Sequence, residues 1–421
     1  MNKNKNILAI IISVFIAIGV IISVILLNMC NREAFPKGPY FGKLTYDGNE
    51  HGLYYKDSNL MYYDKASGES IVFCNKPNCQ HNTKDCNSYM GDHIGMIMLY
   101  GDYLYVCYFN INYIETEDWE PLEYEYNFGI VKVSLDGHRK EVIFEKTQPG
   151  AGGVTKMEGL DGKIYYTYYS MDPEEYMTQN YTMDNVYFAC FDLKNGSNEI
   201  IQSWEGINAD VDILETDSRD TIYLRFIYFT DENITLENLN KNRKIEFFSY
   251  SIGSGELNNC YTNVEIVENI SKGLWISDSC MYCRTYTNEK IFYIQEDGTV
   301  KLAIDMINGN GRYYYPYLSV SKDDSDRILI DLDNKLLYVS KNINEKIPGI
   351  LDYDYNSNTL YVDMSCYDNI PDGTVLTYNP VKVNVMDMET YLNKYFVLYT
   401  GDNYKGDMVL GEEWVDEVIV K

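Results

Sequence analysis

Three cysteines and one histidine lie close together in one short segment of this chain. In the order Cys74, Cys79, His81 and Cys86, they fall within 13 residues. Thiolate sulfur and imidazole nitrogen are preferred zinc ligands, and three cysteines with one histidine complete a closed tetrahedral site. Pro77 favours a turn that brings Cys74 and Cys79 together. Because closed four-ligand sites are usually structural, the pattern predicts a structural zinc site on a loop, with a spacing unlike that of standard zinc fingers.

The same residues allow a second chemistry, a disulfide bond within the set Cys74, Cys79 and Cys86. An exported location favours this alternative because oxidising compartments stabilise disulfides. Three cysteines leave one thiol unpaired unless another residue, such as Cys107, joins the set. A third alternative is that neither metal nor disulfide links these side chains. The sequence leaves the three alternatives open.

The other cysteines that fall in aromatic segments do not predict redox chemistry. Cys280 and Cys283 have the spacing of a Cys-x-x-Cys motif. On a strand, however, positions three residues apart point to opposite faces, and no strand–helix–strand context surrounds this pair. Cys107 and Cys190 lie in strand-like aromatic segments. We therefore expect all four to be small buried core residues.

A binding surface is predicted where three long acidic segments interrupt the chain, at residues 114–126, 171–184 and 230–242. Loops longer than ~12 residues are uncommon and often functional, and insertions in successive repeats map to one face. Carboxylates beside aromatic rings suit cationic or sugar-like ligands. The alternative is that acid-rich loops only keep an exported protein soluble. The predicted ligand-binding residues are Glu117, Trp119, Tyr124, Tyr176 and Tyr181.

No motif in the sequence predicts a catalytic site. The chain lacks Gly-x-Ser-x-Gly, His-Glu-x-x-His, P-loop and dinucleotide-binding patterns. Paired carboxylates of the kind that cleave glycans stay open as an alternative, because acidic residues are abundant. The chain has 63 acidic and 35 basic residues, a net charge of −28. This excess argues against a nucleic-acid partner, since such binding depends on lysine and arginine neutralising phosphates.

The N-terminus predicts where the protein is located. Ile7–Leu27 is an uncharged apolar run of 21 residues, which matches the ~20 residues that cross a bilayer as a helix. Lys3 and Lys5 precede the run and favour a cytoplasmic N-terminus with an exported remainder. Cys30 resembles the lipidated cysteine of bacterial lipoproteins, although Met29 fits such a cleavage site poorly. The predicted segments are a cytoplasmic tail at 1–6, a transmembrane signal anchor at 7–29 and a linker at 30–42.

Repeats make up the remainder of the chain, residues 43–421. In each repeat, a turn rich in Asp, Gly or Asn leads into an aromatic strand, and a second strand follows after a loop. Equivalent tyrosines in four successive repeats are 60, 58 and 59 residues apart. Second strands end in turns such as Asp136-Gly137, because glycine reaches positive φ at little cost. The first strands are predicted at Gly52–Tyr55, Tyr103–Val106, Lys163–Thr167, Thr221–Leu224, Cys280–Cys283, Arg327–Ile330 and Thr359–Val362.

The predicted strand Ile164–Tyr169 indicates how these sheets pack. Ile164, Tyr166 and Tyr168 lie on one face, and bulky residues also occupy the positions between them. Both faces therefore need cover, whereas a sheet with one wet face alternates apolar and polar residues. Each blade of a β-propeller is sandwiched between two neighbours. We predict an all-β fold, a β-propeller of six or seven blades preceded by one N-terminal transmembrane helix; the alternatives are a β-sandwich pair and a β-solenoid.

The tyrosine-rich strands and Asp-Gly turns resemble the propeller class of the low-density-lipoprotein receptor, known as the YWTD type. More closely, the anchor, the Cys/His segment at 74–86 and the repeats resemble membrane-tethered propellers of clostridia-like bacteria, over nearly the whole chain. That family has no assigned activity to carry over. Only Lys163–Thr167 comes near the YWTD motif, and tyrosine replaces its tryptophan. Six blades and protein-ligand binding therefore do not transfer.

The functional hypothesis combines the predicted anchor with the predicted repeats. We expect a cell-surface β-propeller, held in the membrane by its N-terminal helix, that acts as a non-catalytic binding or sensing module. Its expected ligand is a cell-surface glycan, peptide or protein. The alternative function is a glycan- or cell-wall-active enzyme that uses paired carboxylates. A third alternative is a purely structural protein of the cell envelope that binds no small ligand.

Overall fold

The structure is a computed structural model, and it describes most of the chain beyond residue 38. All described residues belong to one compact unit, residues 36–421. The predicted tail, the predicted anchor at 7–29 and Cys30 lie outside the described residues. The description covers residues 39–410 except 44–45, 50, 92, 115–122, 150, 172–182, 217, 233–241, 262–269, 278–279, 286–289, 296, 307–309, 315–316, 322–326, 332–333, 335, 342–345, 355–357, 365–374, 377–381 and 400–407.

Strands dominate the described residues, which confirms the all-β class. One helix is described, α1 at Met388–Tyr395, and its N-cap Asp387 accepts a hydrogen bond from the backbone N–H of Thr390 at 2.7 Å. None of the helical segments in the described ranges has the length and apolar content of a bilayer-spanning helix.

Along the chain, the strands group into seven successive four-stranded units, called modules 1 to 7 here, after a short first strand β1 (Tyr40–Phe41). Modules 1, 2, 6 and 7 belong to four separate sheets, whereas modules 3, 4 and 5 are joined in one 13-stranded sheet, because β13 (Asn198–Thr216) runs through modules 3 and 4 and pairs in parallel with β17 (Ile270–Ser277) of module 5. Pairing within each module is antiparallel. Modules 1 to 3 contain β2 (Tyr46–Gly48), β3 (Gly52–Lys56), β4 (Leu60–Asp64) and β5 (Glu69–Val72); β6 (His93–Tyr100), β7 (Tyr103–Ile114), β8 (Glu123–Ser134) and β9 (Lys140–Pro149); and β10 (Gly152–Leu160), β11 (Lys163–Met171), β12 (Met183–Asp192) and the first part of β13 (Asn198–Thr216).

Modules 4 to 7 continue the same plan along the chain. Module 4 has the second part of β13, then β14 (Thr221–Phe229), β15 (Arg243–Ser251) and β16 (Leu257–Cys260). Modules 5 and 6 have β17 (Ile270–Ser277), β18 (Cys280–Thr285), β19 (Lys290–Ile294) and β20 (Val300–Met306), then β21 (Asn310–Tyr314), β22 (Tyr317–Ser321), β23 (Arg327–Asp331) and β24 (Leu336–Ser340). Module 7 has β25 (Gly349–Asp354), β26 (Thr359–Asp363), β27 (Val375–Leu376) and β28 (Lys382–Met386), after which β29 (Phe396–Leu398) and β30 (Met408–Leu410) extend modules 6 and 5.

The predicted turn chemistry explains the hairpins. Between β10 and β11, Leu160 pairs with Lys163, and the turn consists of Asp161 and Gly162 alone. Both turn residues have positive φ, 48° and 75°, which is the signature of a type I′ hairpin turn. All seven predicted first strands are strands. Six of them are the second strand of their module, whereas Arg327–Ile330 lies in β23, the third strand of module 6.

Neighbouring modules share hydrophobic cores in a closed cyclic order. Module 7 packs on module 1, where Tyr361 and Val383 share a core with Tyr46 and Leu53, and the rings of Tyr46 and Tyr361 lie 5.0 Å apart. This cyclic stacking of small sheets is the architecture of a β-propeller, here with seven units. The other contacts involve Leu60 and Val106 for modules 1 and 2, Phe144 and Tyr166 for 2 and 3, Tyr165 and Leu224 for 3 and 4, Phe247 and Met281 for 4 and 5, Tyr293 and Ile330 for 5 and 6, and Leu329 and Leu360 for 6 and 7.

The strand β11 confirms that both faces of a sheet are covered. Tyr166 and Tyr168 lie against Phe144 of module 2, with ring centroids 4.9 and 5.4 Å away. Tyr165, on the other face, belongs to the core shared with module 4. Tyr165 and Tyr166 are both 0% exposed. Tyrosine suits these interfaces because its ring supplies a large apolar area while its hydroxyl reaches a polar partner; Tyr166, for example, donates to Asn198 Oδ1 at 2.8 Å.

Candidate functional site

The four predicted metal ligands converge in the connection between β5 and β6. The thiol sulfurs of Cys74, Cys79 and Cys86 and one ring nitrogen of His81 all lie within 4.8 Å of one another. His81 Nδ1 is 3.3 Å from Cys86 Sγ. In a tetrahedral zinc site with Zn–S bonds of ~2.3 Å, ligand atoms lie about 3.5–3.8 Å apart. The four donor atoms therefore lie close enough together to hold one tetrahedral metal ion.

The backbone between these ligands turns back on itself several times. Asn78 and His81 have φ values of 57° and 58°, in the left-handed region where asparagine and histidine are enriched. The N–H of Cys79 donates to Lys76 O at 3.3 Å, and the N–H of Cys86 donates to Thr83 O at 2.9 Å. These two turns explain how ligands separated by up to 12 residues reach one point.

Cys86 is the most deeply placed of the four ligands, and its surroundings favour the thiolate. Burial raises the pKa of this thiol. The hydrogen bonds from Ser88, together with those from Cys79 and Cys74, outweigh that effect, so the pKa lies below its ordinary value. Ser88 Oγ lies 3.0 Å from the sulfur, and Ser88 N donates to it at 3.4 Å. A metal binds the thiolate form, so Cys86 is suited to be an anionic ligand.

Cys79 has a pKa above its ordinary value. The backbone N–H of His81 lowers the pKa, while desolvation and the neighbouring thiols of Cys86 and Cys74 raise it. Each of the eight cysteines that the structure describes carries a free thiol, so the disulfide alternative for Cys74, Cys79 and Cys86 is absent from the described structure. The structure therefore brings together a donor set that could hold a metal ion.

A lysine of module 2 holds residues 73–91, called the cysteine loop here, by hydrogen bonds to their backbone. Lys140, the first residue of β9, donates from Nζ to the carbonyl oxygens of Lys84, Cys86 and Tyr89 at 3.0, 2.6 and 2.9 Å. Burial lowers the pKa of Lys140, and its three ammonium hydrogens match these three acceptors. The loop is therefore docked beside its ligand set.

A second set of contacts docks the cysteine loop on the turn between β8 and β9. Asn87 Nδ2 donates to Gly137 O at 2.7 Å, and Asn75 N donates to the same oxygen at 3.2 Å. Asn87 is almost fully buried. The turn therefore supports the site through the carbonyl of Gly137, which accepts hydrogen bonds from the cysteine loop. Gly137 has a φ of 69°, a conformation that glycine adopts at little cost.

A cavity of about 390 Å³ lies between the cysteine loop and module 2. Module 2 has strands of up to 12 residues, whereas those of module 1 have at most five, so module 1 does not cover the whole face of module 2. Gly91 allows the loop to approach closely, since a Cβ there would lie 1.8 Å from Asn110 Oδ1. The cavity is lined by Lys84, Tyr89, Met90, Gly91, Tyr108, Asn110, Glu125, Asn127, Val131, Lys140, Val142, Glu145 and Thr147.

A hydrogen-bond network joins the polar side chains of this cavity. Asn127 Nδ2 donates to Glu145 Oε1 at 3.1 Å and to Thr147 Oγ1 at 2.8 Å. Tyr108 donates to the same oxygen of Glu145 at 2.8 Å, and Asn110 Nδ2 donates to Asn127 Oδ1 at 3.5 Å. The polar side chains are therefore held in fixed orientations before any ligand binds, which lowers the entropic cost of recognition.

The predicted ligand-binding residues are not tested by the structure. Glu117, Trp119, Tyr176 and Tyr181 lie outside the described residues, and Tyr124 is described only as a backbone position of β8 that pairs with Tyr113. The three predicted long loops do join equivalent strands, because they connect β7 to β8, β11 to β12 and β14 to β15. Their described ends continue as paired strands up to Ile114 and from Glu123 in module 2.

Sequence reasoning missed the cavity residues and Lys140. Asn110 and Asn127 were a weak signal, since asparagine is depleted from strands and these two interrupt aromatic runs. Their pairing across β7 and β8 depends on the hairpin register, in which Asn110 lies opposite Asn127. The sequence does not fix that register over a loop of this length.

Comparisons with known proteins find similar structures but no family. No family model matches the chain, and no curated protein matches it. The solved structures that it resembles include TolB from Acinetobacter baumannii, at 11% identity and a TM-score of 0.34, with 88% of this chain and 79% of that chain covered. They also include oligogalacturonate lyase in complex with manganese, at 11% identity and a TM-score of 0.36 (72% and 74% covered). A chain of the nidogen/laminin complex has 10% identity and a TM-score of 0.31 (70% and 90% covered). These values carry no argument about function.

Proposed function

We propose that this chain is a seven-bladed, membrane-anchored β-propeller that acts outside the cytoplasm as a non-catalytic binding module. The observation that carries the proposal is the preorganised polar cavity between module 2 and the cysteine loop. A concave site with a few fixed polar groups is the usual form of a ligand site, and ~300–1,000 Å³ is its usual size. The cavity of about 390 Å³ falls within that range.

The proposed address rests on the sequence of the N-terminus. An apolar run at Ile7–Leu27 preceded by Lys3 and Lys5 supports a transmembrane anchor, a cytoplasmic N-terminus and an exported remainder. The resemblance to membrane-tethered, tyrosine-rich propellers of clostridia-like bacteria supports the same placement. Lipidation of Cys30 is the alternative mode of tethering.

The proposed cofactor is one structural zinc ion, held by Cys74, Cys79, His81 and Cys86. Four protein ligands leave no coordination position open for substrate, so the ion would stabilise the cysteine loop rather than catalyse a reaction. The mutual distances of the ligand atoms and the hydrogen bonds from Ser88 to Cys86 support this role.

The test uses the full-length chain in detergent, mixed with purified bacterial cell walls. We expect the chain to sediment with the walls and to release no new reducing ends. Time-dependent release of reducing sugar, lost when the cavity carboxylate is replaced in Glu145→Gln, would instead establish the alternative function of a glycan-active enzyme. Absence of both sedimentation and release contradicts a role at the cell wall.

A further inference from the structure

The cavity in module 2 presents the chemistry that recognises hydroxyl groups. Its network places an amide, a carboxylate and a hydroxyl side by side, in Asn127, Glu145 and Thr147. Glu145 and Thr147 are exposed to solvent within this group. Both amide hydrogens of Asn127 are donated to Glu145 and Thr147. Asn127 Oδ1 and the carboxylate of Glu145 can still accept from two neighbouring hydroxyls of one ligand, because each of these oxygens has more than one lone pair.

One acceptor of the network is left available for a ligand. Glu145 Oε1 accepts from both Tyr108 and Asn127, whereas Glu145 Oε2 accepts no hydrogen bond from the residues that the structure describes. Hydrogen bonds to Oε1 therefore fix the orientation of the carboxylate, and Oε2 is available to accept a hydrogen bond from a ligand. Hydrogen bonds to a charged acceptor are roughly twice as strong as neutral ones.

The charges around the cavity balance. Its lining contains two glutamates, Glu125 and Glu145, and two lysines, Lys84 and Lys140. The ammonium group of Lys140 already donates to three backbone carbonyls. A strongly charged ligand would thus find no net opposite charge, so the lining favours a neutral one.

The cysteine loop adds an apolar contact to this polar wall. Tyr89 and Met90 line the cavity from the loop side, and Tyr89 is partly exposed. An aromatic ring beside fixed polar groups suits the face of a sugar ring, where C–H groups pack on the aromatic surface while hydroxyls reach the polar side chains.

We infer that this cavity is a binding site for a small neutral saccharide, recognised by Asn127, Glu145 and Thr147 and walled by the cysteine loop. The inference deepens the proposed binding function and rests on it. A volume of about 390 Å³ limits the bound portion to about one or two sugar rings. The remainder of a longer glycan would extend into solvent.

The test is saturation-transfer difference NMR and calorimetric titration of the full-length chain. The probes are cellobiose, maltose and N,N′-diacetylchitobiose, with spermidine as a cationic probe. We expect at least one of the disaccharides to bind and Asn127→Ala and Glu145→Gln each to weaken that binding at least about tenfold, since each removes a hydrogen bond to the ligand. The matched control is Glu246→Gln, which alters a similar tyrosine–glutamate pair in module 4, where Tyr228 donates to Glu246 at 2.9 Å.

Each outcome bears on the inference. Sugar binding that is unchanged in Asn127→Ala and Glu145→Gln, or binding of spermidine alone, would overturn the saccharide assignment. The sedimentation assay distinguishes failure of the saccharide site from failure of the binding function. Wild-type chain that sediments with cell walls while both variants sediment equally well leaves the binding function standing and removes this cavity as its site.

Discussion

Glu158 is the residue whose protonation should contribute most clearly to stability. It lies on β10 opposite Tyr165, is 0% exposed, and neither of its carboxylate oxygens has a hydrogen-bond partner among the described residues. Burial therefore raises its pKa well above the ordinary value. The folded chain then holds this proton up to a higher pH than the unfolded chain does. Stability from this group is present at low pH and is lost as pH rises above the unfolded pKa of ~4.3.

We expect Glu158→Gln to reduce this pH dependence. The glutamine keeps the shape of the protonated side chain but cannot ionise, so the difference in unfolding free energy between variant and wild type should increase from pH 5 to 7. For one group, the slope is at most about 1.4 kcal/mol per pH unit. Urea unfolding at several pH values measures it, with Glu69→Gln, an exposed position, as the control. Parallel pH profiles for Glu158→Gln and wild type would refute the interpretation.

The cysteine loop is the element that links the candidate metal ligands to the cavity. It carries Cys74, Cys79, His81 and Cys86 in its course and Tyr89, Met90 and Gly91 at its end, where it becomes the cavity wall. Lys140 holds the loop between these two parts through three carbonyl contacts. Metal binding and ligand binding should therefore be coupled through one segment.

Lys140→Met should loosen this element. The methionine keeps most of the apolar stem but removes three charge-assisted hydrogen bonds, and we expect a loss of about 1–3 kcal/mol in unfolding free energy because the site is only partly buried. Backbone amides of residues 84–91 should exchange their hydrogens at least about tenfold faster. Hydrogen-exchange mass spectrometry measures this change, with Lys194→Met in an exposed turn as the control. Unaltered exchange in residues 84–91 would contradict the docking role.

The elements differ in how far they could be predicted from sequence. Strand β11 can be predicted from the sequence, because Ile164 to Tyr168 are all bulky and Asp161-Gly162 marks its turn. Strand β10 cannot, since it contains Gly152, Gly153 and Gly159, and glycine weakens the sequence signal of a strand. Gly159 is required by packing instead: a Cβ there would lie 2.7 Å from the ring of Tyr100. Such a requirement comes from the neighbouring module and has no local signal.

The candidate site also has one part that the sequence predicts and one part that it does not. The convergence of Cys74, Cys79, His81 and Cys86 is predictable because residues within one short segment need no long-range register to meet. The cavity was not identified because Tyr108, Asn127 and Glu145 come from three strands whose pairing is set by the fold. The predicted binding residues in the long loops stay a prediction.

At the scale of the whole molecule, closure depends on the contact between the first and last modules. Leu53 of β3 is 0% exposed in the core that also contains Tyr361 and Val383 of module 7. Truncation of a buried leucine to alanine costs about 2–5 kcal/mol because lost burial and a residual cavity add. Closure links modules that are more than 300 residues apart in the chain.

We expect Leu53→Ala to lower the unfolding free energy by about 2–5 kcal/mol within a single cooperative transition. Guanidinium unfolding followed by tyrosine fluorescence and by circular dichroism checks both points. Val397→Ala, at a position 38% exposed, should cost less than about 1 kcal/mol. Equal costs at the two positions would mean that the contact between modules 1 and 7 does not stabilise the fold.

If one metal ion stabilises the cysteine loop, zinc analysis of the native full-length chain will detect it. We expect about one zinc per chain in the wild type and in Cys107→Ser, a buried control beside Met157, and loss of zinc in Cys79→Ser. Mass spectrometry of the same samples should find free thiols at Cys74, Cys79 and Cys86 after zinc removal. A metal-free wild-type chain with a disulfide joining two of these three cysteines would contradict it.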